Sequence, residues 1–303
     1  MPRLVVLVAL FLSACTSAVS GVSGEDHPLA GTIWRVSDGA QVERADLVEA
    51  LSAADYAILG EIHDNPQHHA RQAEMVEAIA PAGLAFEMIP EASEEGVRVF
   101  LEAGGDRADV GPAIGWDRLG WPDWEMYAPI LTAAPGAYVA GGGVARADLT
   151  TAMRRDAAAA FGRGARSYGL AADLGPETQA EMEAEMIASH CDRLPAEMAA
   201  GMVESQRLRD ARFAHALRRA AAAGGGRAAL ITGNGHARTD RGVPAALAAA
   251  EPGARVVALG QVEVREGATA FADYGGAEGL PYDYVWFSVR KDRGDPCAAF
   301  DAR

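Results

Sequence analysis

The chain has 303 residues, half of them hydrophobic, with a formal net charge of -15 at pH 7 and three cysteines. That acidity opposes the phosphate contacts that dominate nucleic-acid binding, so no nucleic-acid partner is expected. Length and apolar content suffice for one large α/β domain with a sizeable core.

Residues 1–15 carry one positive charge, a short apolar run and small residues before Cys15. This reads as a secretory signal, too short to span a membrane as a helix. Its end, Leu12-Ser13-Ala14-Cys15, resembles the lipobox of bacterial lipoproteins, which makes Cys15 the lipid-bearing first residue of the mature chain; an ordinary secretory peptide cut nearby is the plainer alternative. Residues 16–28, rich in Ser, Gly and Val, read as a flexible tether, followed by one domain over 29–303. Cys191 and Cys297 match no zinc-motif spacing. In an oxidising compartment they can pair or remain as buried thiols.

Residues 56–61 predict a buried strand, followed by a helix that Asn65 caps, with Pro66 in its first turn. It runs to about residue 80, where Pro81 and Gly83 stop it. Residues 84–88 predict a second short strand and 91–103 a helix after Pro90. A Trp-rich connection over 116–124 leads to a short helix at 125–133, a strand at 137–140 and a helix over 145–161. Residues 177–190 and 195–223 are helical in composition with no strand between them. They predict a helical insertion, about 176–223, between the third and fourth main strands. Strands at 228–232, 255–264 and 283–288, with a helix starting at 242, complete an α/β fold with a mostly parallel central sheet flanked by helices.

Two of these strands end in Gly-x-x-His: Gly60-Glu61-Ile62-His63 and Gly233-Asn234-Gly235-His236. Loops after the carboxyl ends of parallel strands gather at one crevice, so the two can face one ligand. Glu61, His63, Glu87 and His236 fall at that rim. They can hold a divalent metal through His63, Glu87 and His236, form an acid–base pair, or bond one another as scaffold. On the helix after the first strand, His69, Gln72, Val76 and Ile79 share an inward face, whereas His68 lies about a hundred degrees round, toward solvent. On the long helix, Met198, Met202, Gln206, Arg209, Phe213 and Leu217 form one stripe. A buried arginine there needs an anionic partner, which Glu61, Glu87, Asp210 or a ligand can supply. The loop after residue 232 adds His236, Arg238 and Asp240.

With Gly60-Glu61-Ile62-His63-Asp64, His69-x-x-Gln72, Phe86-Glu87-Met88, Asp123-Trp124-Glu125-x-Tyr127, Gln206-x-x-Arg209-Asp210 and Gly233-Asn234-Gly235-His236-Ala237-Arg238 in this order, the chain resembles the ChaN-type haem-binding lipoproteins of the Tiki and TraB-like superfamily. The resemblance implies a membrane-anchored protein of the cell envelope, at the outer membrane and facing the periplasm, that binds haem in haem or iron uptake. A homodimer enclosing haem is one arrangement it suggests. Haem binding needs an axial ligand, an apolar slot and cations for the propionates. Tyr127, then Tyr168, are the candidate axial ligands; His69, Gln206, Arg209 and Arg238 are further cofactor-binding candidates. Met153, Met182, Met186, Met198 and Met202 can line the slot or simply fill the core. Other branches of the superfamily are hydrolases, among them erythromycin esterase-like enzymes and metal-dependent Tiki proteases. The alternative is therefore a hydrolase in which Glu61, His63, Glu87 and His236 are catalytic, with or without a metal.

Overall fold

A computed structural model describes residues 24–275, 279–294 and 297. The expected signal, Cys15 and most of the tether lie outside the described residues. A hairpin begins the fold, β1 (Ile33–Arg35) pairing antiparallel with β2 (Ala40–Val42). Its turn is set by Asp38, whose carboxylate accepts from Arg35 and from the Ala40 amide, and by Gly39 at φ 62°. Helix α1 (Arg44–Ala53) follows, its first turn closed by a capping box in which Asp46 accepts from the Glu43 amide. The sequence reading missed both elements.

The rest of the chain alternates as expected: β3 (Tyr56–Glu61), α2 (Pro66–Ile79), β4 (Gly83–Pro90), α3 (Glu94–Glu102), α4 (Val110–Ile114), α5 (Trp124–Thr132), β5 (Tyr138–Gly143), α6 (Arg146–Arg154), α7 (Ala157–Phe161), α8 (Pro176–Ser189), α9 (Ala196–Gly224), β6 (Ala228–Gly233), α10 (Asn234–Ala237), α11 (Val243–Ala250), β7 (Val256–Glu263), α12 (Ala272–Gly275) and β8 (Tyr284–Ser288). One sheet contains all eight strands in the order β2-β1-β8-β7-β3-β6-β4-β5. From β8 to β5 every neighbouring pair is parallel, and only the N-terminal hairpin runs antiparallel.

Strand alternation divides the core in two. Leu59 and Ile231 face one layer with Leu47, Leu51, Met75 and Val76, while Ile58 and Leu230 face the other with Leu208, Phe213, Leu217 and Val243. Full burial of side chains of this size stabilises by about 1.5–3 kcal/mol each. Helix α9 belongs to that second layer. It packs on β4, β5 and β6, and so close to Gly83 that a Cβ there would strike the Ala220 backbone. The long helix is thus the crossover from β5 to β6, and α8 packs against it.

The expected helix over 145–161 is two. It breaks after Arg154 because Asp156 turns to cap α7, accepting from the Ala159 amide at 2.6 Å, while Glu204 of α9 accepts from the Ala157 amide at 2.6 Å. Cys191 and Cys297 form a disulfide, Cα atoms 5.7 Å apart, that ties the turn after α8 to the end of the chain. Among the described residues no helix is long and apolar enough to cross a membrane.

Candidate functional site

Strands β3 and β6 are neighbours, with Gly60 opposite Thr232 and Glu61 opposite Gly233. The two Gly-x-x-His motifs, distant in sequence, therefore leave the sheet side by side. Space dictates Gly60, where a Cβ would lie 2.8 Å from the Leu259 carbonyl oxygen, while a Cβ on Gly233 would meet the His63 ring, 2.9 Å from Nε2.

Behind the first motif sits Glu61, 1% exposed. His63 Nδ1 lies 2.8 Å from its Oε1, and the Tyr127 hydroxyl donates to the same oxygen at 3.2 Å. His69 places Nδ1 3.1 Å from Oε2, off the alignment of a hydrogen bond, while its Nε2 donates to the His63 carbonyl at 2.8 Å. Burial opposes the charge on Glu61, yet the imidazoles of His63 and His69 outweigh it and hold the carboxyl down at about 2. A general base for neutral pH needs a pKa near 7. Glu61 is instead a fixed anion that anchors the ring behind it.

The second motif repeats the arrangement. His236 Nδ1 lies 2.6 Å from Asp210 Oδ1, and the Gln206 amide nitrogen is 3.1 Å from that same ring nitrogen. With Nδ1–H committed to a carboxylate in each ring, both Nε2 atoms turn the other way. They face Glu87 Oε1, at 4.0 Å from His63 and 3.6 Å from His236. Glu87 Oε2 accepts from Thr232 Oγ1 at 2.7 Å and from the Gly233 amide at 2.8 Å. Burial works against protonating either imidazole, but Glu61 and Glu87 around His63, and Glu87 and Asp210 around His236, raise both pKa values.

His63, Glu87 and His236 thus meet, as their positions at the strand ends predict, but not as metal ligands. Among the described residues no three His, Cys, Asp or Glu side chains are arranged to hold a metal ion. Glu87 is drawn back by Thr232 and Gly233, and its free oxygen faces the imidazoles as a charge partner. The expectation of a divalent metal finds no support in this geometry.

A cleft of about 710 Å³ opens beside the cluster, lined by Glu87, Met88, Leu119, Trp121, Arg209, Phe213 and His236 among others. His63 borders it with a side chain 32% exposed, its ring 4.9 Å from that of Trp121. Tyr127 is buried beneath, outside the cleft lining, and burial together with Glu61 pushes its phenol far up. Tyr168 lies elsewhere, held by His215 and Arg218 beside a separate cavity of about 320 Å³. Arg238 is paired with Asp240 and does not line the cleft. Of the five slot methionines, Met182 is buried in the core, Met198 is 43% exposed and none lines the cleft.

His68 corrects the helical-wheel expectation, for it is fully buried. Its Nδ1 accepts from the Ile62 amide at 2.8 Å and its Nε2 donates to Ser288 at 2.7 Å. Burial and the nearby Arg71 push it down to about 3, so it pins the first loop as a neutral ring. The wheel failed because β8 covers that face of α2. Two site residues escaped the sequence reading. Asp210 stands in the motif Gln206-x-x-Arg209-Asp210, where its neighbour Arg209 is the obvious partner, yet it bonds His236; Trp121 lies in a Trp-rich connection with no pattern to single it out.

A parallel α/β sheet with two carboxylate-anchored histidines at the ends of adjacent strands, beside an open cleft, defines a ligand-binding class of protein. The chain belongs to the haem-binding uptake family of the Tiki superfamily, typified by ChaN, whose family model matches residues 47–247. ChaN of Campylobacter jejuni, solved with cofacially bound haem, has a similar structure: TM-score 0.63 and 18% identity, over 84% of this chain and 95% of that one. The type III effector HopBA1 is more loosely similar, with TM-score 0.45 and 15% identity over 81% and 92% of the two chains. No curated protein matches the chain.

Proposed function

We propose that the chain binds haem in the cleft beside His63 and His236 and serves haem or iron uptake at the cell envelope, held to the outer membrane on its periplasmic side by a lipid on Cys15. The observation that carries the reading is a cleft with apolar walls that His236, anchored from behind by Asp210, lines directly, with the Glu61-anchored ring of His63 packed against its wall residue Trp121. Its volume, about 710 Å³, falls in the range of cofactor sites. Of the chain's own groups, the half-exposed His63 is best presented as an iron ligand, and a carboxylate behind an imidazole strengthens it as a donor. Bound haem supplies an iron atom and two propionates; the protein supplies the walls, the ligand and the orientation.

Family membership supports haem as the ligand, and the residues before Cys15 support the anchor. The Campylobacter relative binds haem cofacially; for this chain two copies enclosing the cofactor are proposed. The family match favours haem over the hydrolase alternative. Titrating the domain that follows Cys15 with haemin, with mass measured alongside, tests the reading. A saturable Soret shift with a doubling of mass is expected; a response that never saturates overturns it.

A further inference from the structure

Among the described residues, Arg209 is the arginine of α9 that has neither a hydrogen bond nor an ion pair, and it lines the cleft. Every other arginine over the middle of α9 has a carboxylate: Arg207 meets Glu204 at 2.7 Å, Arg212 meets Glu91 at 3.9 Å, Arg218 meets Glu251 at 3.0 Å and Arg219 meets Glu94 at 2.8 Å. The Arg209 guanidinium lines the cleft, and among the described residues it makes no hydrogen bond and no ion pair. Three of the carboxylates around it are engaged elsewhere, and Asp148, which lines the same cleft, makes no ion pair with it. Glu87 is held by Thr232 and Gly233, Glu91 by Arg219 at 3.2 Å, and Asp210 by His236. Arg209 feels Asp210 only as a neighbouring charge, so its guanidinium fork, half-buried on the cleft wall and bonded to no side chain, is preorganised for an anion that arrives from outside.

We infer that Arg209 is the carboxylate anchor of the cleft: its guanidinium fork takes a propionate of a planar tetrapyrrole and so sets which edge of the ring enters. This rests on the haem reading and adds to it a recognition element that does not involve the iron. A metal-free porphyrin carrying its propionates is therefore a ligand, and one whose propionates are esterified is a poor one.

The test titrates the full chain and its Arg209→Gln variant with protoporphyrin IX and with protoporphyrin IX dimethyl ester, following porphyrin fluorescence, with haemin absorbance as a parallel arm. Arg209 makes no bond that the fold needs, and the ester arm on the unsubstituted chain stands independently of the variant. The unsubstituted chain is expected to prefer the free acid over the ester by about tenfold, a difference of about 1.4 kcal/mol. The variant is expected to lose that preference, and Arg209→Lys, which keeps the charge without the fork, to recover part of it. Haemin binding with an acid-to-ester ratio that is the same in chain and variant overturns the inference and leaves the haem reading standing. Failure of the unsubstituted chain to saturate with haemin overturns both.

Discussion

At the scale of single residues the site is built from anions that hold rings. Glu61 is ionised far below the usual carboxylate range, so its contribution to stability is fully present above pH 4.5 and lost as pH falls toward 2. A shift of that size corresponds to about 3 kcal/mol. Thermal unfolding followed from pH 6 down to pH 2 should show that loss, and the Glu61→Gln variant should be less stable at neutral pH with a flatter acid limb. A limb unchanged in the variant would remove Glu61 as its source. Gly233→Ala should cost about 1–3 kcal/mol, because the added methyl must displace the His63 ring 2.9 Å away, and haemin affinity should fall with it. A variant with unchanged melting temperature and affinity would show that the ring yields freely. Much of this centre was legible in the sequence: a glycine followed by a histidine past a buried run marks a strand-end loop wherever it occurs. What could not be read was which carboxylate stands behind which ring. Asp210 reaches His236 from a helix whose rotation only packing decides, and His68 is buried by a strand at the other end of the chain.

At the scale of elements, the parallel strands announced themselves because they are buried on both faces and read as continuous apolar runs. The N-terminal hairpin did not, since three-residue strands have no room for a pattern, although Asp38-Gly39 is a recognisable turn pair. The alanine-rich stretch of α6 and α7 hid its break for a similar reason: composition favours helix throughout, and only the Asp156 cap marks the corner. Asp156→Ala should remove about 1 kcal/mol of stability. Because Asp148 and Leu149 of α6 line the cleft, the same change should loosen haemin binding. Denaturant unfolding and a haemin titration of the variant check the two effects, and a variant that matches the unsubstituted chain in both would show that the corner holds without its cap.

At the scale of the whole molecule, the disulfide and the order of the strands matter most. Cys191 and Cys297 close a loop of 106 residues. Cys297→Ser should lower stability by about 2–4 kcal/mol, and reductant should move the unsubstituted chain to the same midpoint while leaving the variant unaffected. The order of the strands carries a different consequence. Strand β6 lies between β3 and β4 and pairs with both, yet it follows them by well over a hundred residues. During synthesis the first motif therefore emerges on a strand whose inner edge stays open while β4, β5 and the whole helical crossover are made. Two apolar edges wait, unpaired and ready to stick to other chains, for one late strand. That strand brings the second histidine, so its arrival joins β3 to β4 and sets the two motifs side by side in one event, before β7 and β8 cover the other edge of β3.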